Sequence, residues 1–296
     1  QGRDDPENPS ISDDGRLVVF NTTCCDPVLA RSAIAIEAGK PPTSWGRVTV
    51  PRLTQHVVLL KDRQTGRLFL VSYIRAANGV STVEGVEPAI SGDGRYVAFI
   101  DGETAGALYV RNIATGSLTR ADSSADGTAG TGLASWPSIS ADGQYVAFCD
   151  FDLGSGGQGG IFIKNLPTGV LRRVANQCQR PTITRDGRYV WFQSGASEMR
   201  FDRVTGESLR IQTSGAAAFS PDGRFFVTAD RNGQHPYVKN LATGTVSVIN
   251  LAGHIPAGIT AHVSALAVSS DGRRVLFVSG GTPDGRYRQH LFVTTG

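Results

Sequence analysis

The chain has 296 residues, 40% of them apolar, which suffices for one large all-β domain or two small ones. Its formal net charge is only +3 and its basic residues are almost all Arg, with Lys only at Lys40, Lys61, Lys164 and Lys239. No concentrated basic stripe is present, so a nucleic-acid partner is not expected. No run of 18 apolar residues exists, so no transmembrane helix is expected. The opening Gln1-Gly2-Arg3-Asp4-Asp5 is polar, as in a mature or excised segment rather than a signal peptide.

Taken in chain order, the sequence repeats one phrase six times. It reads ISDDGR at Ile11–Arg16, ISGDGR at Ile90–Arg95, ISADGQ at Ile139–Gln144, ITRDGR at Ile183–Arg188, FSPDGR at Phe219–Arg224 and VSSDGR at Val268–Arg273. An apolar run follows each copy: LVVF, YVAF, YVAF, YVWF, FFVTA and RVLF. Asp-Gly between two β-rich runs signals a hairpin, because Gly supplies the positive φ of the turn. A second turn follows in every unit, a Thr-Gly pair at Gly66, Gly116, Gly169, Gly206, Gly244 and Gly296, each preceded by an alternating strand such as LYVRN or IFIKN. Each unit is therefore strand A, Asp-Gly turn, strand B, variable loop, strand C, Thr-Gly turn, strand D. Four antiparallel strands repeated at this period describe a β-propeller blade.

The expected fold is all-β: one six-bladed β-propeller over 1–296, with blades at about 7–72, 86–120, 135–175, 179–211, 215–250 and 263–296. Blade 1 runs 51 residues from Gly15 to Gly66, against 19–26 between the corresponding glycines elsewhere, which marks an insertion at about 21–55. Blade 6 stops on its Thr-Gly turn and lacks its outer strand within this chain. Either the chain is a fragment, or the blade has an open edge that a strand donated by another chain could complete. Tyr96, Tyr145, Tyr189 and Phe225 fall at one equivalent position and are expected to pack between blades.

The phrase (I/F)S-x-DG-(R/Q)-x-V-x-F, with its Thr-Gly partner turn, resembles the TolB-type, WD40-like propeller repeats of bacterial envelope and secreted proteins. The resemblance covers nearly the whole chain. It implies a bacterial protein that is secreted or periplasmic, with a binding role toward another envelope or extracellular protein or peptide. The resemblance to TolB itself is expected to extend to its propeller only, not to the helical domain that precedes it there. The α/β-hydrolase domain of propeller peptidases, with its G-x-S-x-G, is not expected either.

Loop length singles out one face. The A–B and C–D turns are short, whereas the long segments Asn21–Gln55, Tyr73–Glu87, Ala121–Trp136, Asp150–Gly160 and Leu251–His262 are all B–C or D–A connections. Both kinds emerge on the same side, the usual place for a binding surface. The residues expected just before the A strands, Asn8, Glu87, Trp136, Arg180, Ala216 and Ala265, should surround the mouth of the central channel. Asn8, Glu87, Trp136 and Arg180 form a candidate ligand pocket there, Trp136 for stacking and Arg180 for a carboxylate. In the bland alternative Glu87 and Arg180 neutralise each other and Trp136 packs under a loop. Trp45, in the insertion, is a candidate contact residue.

Cys24, Cys25, Cys149 and Cys178 show no CxxC spacing, which favours disulfides in an oxidising compartment over a metal or haem. A Cys24–Cys25 bridge would be strained; Cys149–Cys178, or bridges from the insertion to blades 3 and 4, remain open. No cofactor is called for outright. His254 and His262 are the candidate transition-metal ligands, against the alternative of solvated surface histidines. Asp150-Phe151-Asp152 and Asp230-Arg231-Asn232-Gly233 are candidate Ca²⁺ loops, against ordinary Asx-turn chemistry.

The reading these features favour is a non-enzymatic extracytoplasmic binding module that takes a protein or peptide on the elaborated face. The alternatives are a polysaccharide-acting lyase or hydrolase at the channel mouth, a lectin-like glycan binder, and a subunit of a surface assembly completed through the open blade.

Overall fold

The computed structural model describes residues 7–23, 34–35, 56–76, 79–102, 106–123, 130, 133–153, 159–195, 197–212, 217–229, 236–250, 262–281 and 288–295. Among them every regular element is a strand, and no helix is long and apolar enough to cross a membrane. Cys24, Cys25, Trp45, His254 and the segment Asp230–Gly233 lie outside the described residues, as does the side chain of His262. The chain divides into two compact units, Gln1–Phe192 and Gln193–Gly296.

In the first unit the repeats become antiparallel sheets with strands in the order A-B-C-D. The second sheet is Gly85–Ile90, Tyr96–Asp101, Ala107–Asn112 and Leu118–Arg120; the third is Ala134–Ile139, Tyr145–Asp150, Gly160–Asn165 and Leu171–Ala175. The first, built on Glu7–Ile11, Leu17–Thr23, His56–Asp62 and Leu68–Leu70, gains a fifth strand. Ile34–Ala35, from the insertion, pairs parallel with Phe69 and Leu70 on its outer edge. Thr182–Ile183 and Tyr189–Ser194 open a fourth repeat. In the second unit, Ser197–Asp202 pairs with Ser208–Gln212. A four-stranded sheet (Ala217–Phe219, Phe225–Ala229, Pro236–Asn240, Val246–Val248) follows, and then a three-stranded one (His262–Val268, Arg274–Gly281, Arg288–Thr295).

The Asp-Gly phrase builds the same turn six times. Ser12 N–H donates to the Leu17 carbonyl, and Gly15 N–H, at φ 69°, donates to the Ser12 carbonyl. The Ser12 hydroxyl donates to Asp14 Oδ1 at 2.6 Å, and that oxygen also accepts the Arg16 N–H at 2.9 Å. Ser12 Oγ in turn accepts the Leu17 N–H at 3.0 Å. The pattern recurs at Ser91/Asp93, Ser140/Asp142, Thr184/Asp186, Ser220/Asp222 and Ser269/Asp271. The Thr-Gly turn has its own cap, an Asx side chain three residues before the Thr. Asp62, Asn112, Asn165, Asp202 and Asn240 each accept backbone N–H groups of the turn. Asp62 also takes a two-pronged contact from Arg16, at 3.2 and 2.8 Å, which holds its carboxyl well below the usual range.

The core lies between successive sheets. Val19, Val58, Leu60, Val97 and Phe99 form one buried cluster across the first two; Leu108, Val146, Phe148 and Phe162 form another across the second and third. In the second unit Val227, Val238, Val275 and Phe277 do the same. Three of the four aromatics expected between repeats, Tyr96, Tyr145 and Phe225, pack on the turn glycine of the next repeat. A Cβ on Gly187 would come within 2.7 Å of the Tyr145 ring, and one on Gly272 within 2.6 Å of Phe225. At Gly143 it would overlap Tyr96 outright. That turn glycine is thus fixed twice, by its φ of 70° and by the ring above it. Arg111, 3% exposed, bonds the Val71, Tyr73 and Gly116 carbonyls and stacks 4.2 Å from the Tyr73 ring centroid. Burial pushes its guanidinium down to about 10.

Two segments read as loops contain structure, Asn21–Gln55 with the strand Ile34–Ala35 already described, and Tyr73–Glu87. Within Tyr73–Glu87, Tyr73–Ala76 and Gly79–Thr82 form a hairpin. The A strands begin earlier than expected, so Asn8, Glu87 and Trp136 sit inside them rather than just before, as does Ala265 in the sixth, across its own register shift to Ala267. The reason is a break in register, between Glu7 and Ser10, Val86 and Ala89, and Ser135 and Ser138, that lets each strand resume pairing upstream.

Candidate functional site

The register breaks put the site together. At those of the first three repeats, a residue in left-handed conformation precedes a proline: Asn8 (φ 49°) before Pro9, Glu87 (φ 51°) before Pro88 and Trp136 (φ 53°) before Pro137. These three are the non-glycine residues at positive φ among those described. Such a conformation costs an L-residue about 1–2 kcal/mol. Proline offers no N–H to the ladder, so a strand that contains it must bulge. Arg180 precedes Pro181 at the fourth equivalent position without entering the left-handed region.

Asn8, Glu87, Trp136 and Arg180 line a single cleft of about 280 Å³ within the first unit, together with the four prolines, Ser10, Ser138 and Thr182. The cleft runs down the A strands to Ile90 and Ile139, the residues that lead directly into the Asp-Gly turns. Those turns close a circuit of their own. Asp13 N–H donates to the Gly92 carbonyl at 2.9 Å, Asp93 N–H to Ala141 at 2.8 Å and Ala141 N–H to Arg185 at 2.8 Å. An Arg185–Asp13 ion pair completes the loop.

The polar groups of the cleft are unevenly engaged. Glu87 Oε2 accepts the backbone N–H of Trp136 at 2.6 Å, one repeat on, so this carboxylate holds a strained neighbour in place. Asn8 Nδ2 donates to Asn21 Oδ1 at 3.3 Å. Ser10 Oγ accepts the Ile90 N–H at 3.2 Å and Ser138 Oγ the Ile183 N–H at 3.1 Å. Arg180 is exposed, and among the described residues no carboxylate pairs with it. The Glu87–Arg180 neutralisation weighed from the sequence is therefore not what the side chains do. Trp136 meets Phe151 edge-on at 6.3 Å between centroids, and Phe151 is 46% exposed.

The flanks of the cleft are anchored. Cys149, fully buried at the end of its B strand, is disulfide-bonded to Cys178, with Cα atoms 5.2 Å apart. The bridge fixes the chain two residues ahead of Arg180 and joins the third repeat to the fourth. Asp150, the next residue, is also fully buried. Its Oδ1 accepts the Asp152 and Leu153 N–H groups at 2.9 and 2.7 Å, the Asx turn that presents Phe151. Among the described residues its Oδ2 finds no hydrogen-bond partner, and burial raises its pKa. Asp150 thus caps a turn through Oδ1, and among the described residues no group of three or more His, Cys, Asp or Glu could hold a metal ion. His262 begins an A strand instead of lying in the preceding connection.

Sequence reasoning missed Ser10, Ser138, the four prolines and Phe151. The signal was present in the X-Pro pairs of the first four A strands, which the last two, with Ala216-Ala217 and Ala265-Leu266, lack.

Repeated four-stranded antiparallel sheets, with a cleft between A strands, describe an all-β fold of the β-propeller kind. No family model matches the chain, and the search of curated proteins returns no match. Solved structures do match. A protein described as TolB from Agrobacterium tumefaciens superposes over 100% of this chain and 92% of its own, at 16% identity and a TM-score of 0.52. An oligogalacturonate lyase in complex with manganese is similar over 100% of this chain and 78% of its own, at 16% identity and a TM-score of 0.56. TolB from Acinetobacter baumannii is similar over 84% of this chain, at 18% identity and a TM-score of 0.47; the match spans 55% of its length. Identities this low establish the fold alone.

Proposed function

We propose that the protein is a non-enzymatic, extracytoplasmic binding module that captures a protein or peptide, with the cleft of the first unit as its contact point. The observation that carries this reading is Arg180, a guanidinium without a carboxylate partner among the described residues, at the rim of a cleft whose backbone is held at three strained positions. Strain persists where the surroundings over-determine it, and it concentrates at ligand sites. Trp and Arg are the residue types that dominate protein-binding hot spots. The Cys149–Cys178 bridge supports an oxidising compartment, periplasmic or secreted.

The test is capture of envelope and extracellular material on immobilised protein, with and without prior protease treatment of that material. A protease-sensitive species captured in stoichiometric amount supports the reading; capture that survives protease refutes it in favour of a glycan.

A second reading, a polysaccharide-acting enzyme, is favoured by the fold shared with the manganese-bound lyase. The described residues offer no group fitted to hold that metal, so no chemical step is derived through one. Manganese binding at a one-to-one ratio, with release of unsaturated products from oligouronides, would establish this reading over the first.

A further inference from the structure

We infer that the cleft receives the free C-terminal carboxylate of an extended polypeptide, held by Arg180, with the terminal side chain enclosed by the proline walls. This inference rests on the peptide-binding reading above and specifies its chemistry.

The donors and acceptors of the cleft set the sign of the ligand. Ser10 and Ser138 each accept a backbone N–H through Oγ, which leaves the hydroxyl proton of each to donate. Asn8 has a second Nδ2 proton besides the one given to Asn21. Arg180 adds a guanidinium with a planar fork suited to two parallel bonds to one carboxylate. Against these donors stands one carboxylate, Glu87, with Oε2 already given to the Trp136 N–H. A site dominated by donors matches a group that only accepts, and an ionised carboxylate is that group. Glu87 also repels a second negative charge, which disfavours polyanions such as oligouronides and selects a ligand bearing a single carboxylate.

The rest of the cleft is apolar. Pro9, Pro88, Pro137 and Pro181 have no N–H to offer, and with Trp136, Ile90 and Ile139 they make hydrocarbon walls. A volume of about 280 Å³ is equivalent to roughly nine waters at ~30 Å³ each, room for one or two residues and not for a folded segment. An internal Asp or Glu would bring the carboxylate but leave these walls uncovered. A terminal residue with an apolar side chain brings both groups on one α-carbon.

The probes are two hexapeptide libraries immobilised through their N-termini, one with free C-termini and one amidated. Wild-type protein and Arg180→Gln are compared on both. Arg180 is exposed, so this variant keeps the fold, and an unchanged melting temperature checks that. The expected result is binding to free-carboxylate peptides with apolar last residues, weakened at least about tenfold by amidation and by Arg180→Gln. Equal binding of amidated peptides overturns the inference and leaves the peptide-binding reading standing. Binding that follows internal Asp or Glu overturns it in the same way. No binding to either library, with protein partners still captured from extracellular material, overturns the C-terminal-carboxylate inference and leaves the protein-binding reading standing. If capture also fails, both readings fall.

Discussion

The two ends of the A strands differ in kind although the same residues connect them. At the Asp-Gly end, every turn carries the same hydroxyl, carboxylate and glycine, and its polar groups bond one another. At the other end, the equivalent positions hold Asn8, Glu87, Trp136 and Arg180, three of them strained and one without a carboxylate partner among the described residues. The difference teaches how a repeat protein separates stability from recognition. Uniform, self-contained turns hold the sheets in place, so the opposite end is free to vary and to keep donors available for something else.

The comparison can be broken first at the uniform end. Gly143→Ala meets both a left-handed φ and the Tyr96 ring, and is expected to destabilise by about 2–5 kcal/mol in denaturant unfolding. Gly66→Ala meets the φ alone, with nothing within 4 Å of the added methyl, and should cost about 1–2 kcal/mol. Equal losses would show that ring packing between repeats contributes nothing. Replacing Cys149 and Cys178 together by Ser should lose about 3–4 kcal/mol on the chain-entropy account, seen as a melting temperature that no longer responds to reductant.

Acid separates two buried carboxylates of opposite sign. Asp62 is depressed by its hydrogen bonds from Arg16, so its stabilisation is complete above the ordinary carboxylate range, about pH 4, and is lost as pH falls toward its lower folded value. Asp62→Asn should flatten the acid limb of stability against pH. Asp150 is raised by burial, so the folded state retains its proton longer and stability declines as pH rises from about 4 toward its folded value. Asp150→Asn keeps an oxygen for the Asx turn and should remove that decline. A steeper decline in this variant would contradict the assignment. The smallest effect is expected at the varied end: Asn8→Gly relieves a left-handed residue at the loss of one hydrogen bond, so melting should shift by less than about 1 kcal/mol equivalent in either direction.

Much of this architecture was legible because its chemistry is local. Ser12, Asp14 and Gly15 lie within four residues and bond one another, so six copies of the phrase declare six turns. The Asx caps at Asp62 and Asn112 are equally local, although the Thr-Gly pairs beside them were the signal that was read. Asn8, Glu87, Trp136 and Arg180 were brought together by their equivalent register alone. Their conformation was not legible, since the left-handed backbone at Glu87 and Trp136 depends on bulges and on a contact 49 residues apart in sequence. The parallel strand at Ile34–Ala35 and the hairpin at Tyr73–Thr82 also escaped, because neither belongs to the repeat. At Asp150 the D-x-D spacing fits a cation loop and an Asx turn alike, and the Asx turn shows only in the bonds to the Asp152 and Leu153 N–H groups.

The central claim is that the cleft makes the functional contact. The direct measurement is capture of extracellular protein by wild type beside Trp136→Ala/Arg180→Gln, with melting temperature recorded for both. The account predicts that the variant melts within a few degrees of wild type and loses the captured partner. A partner retained at undiminished yield by the folded variant would contradict it.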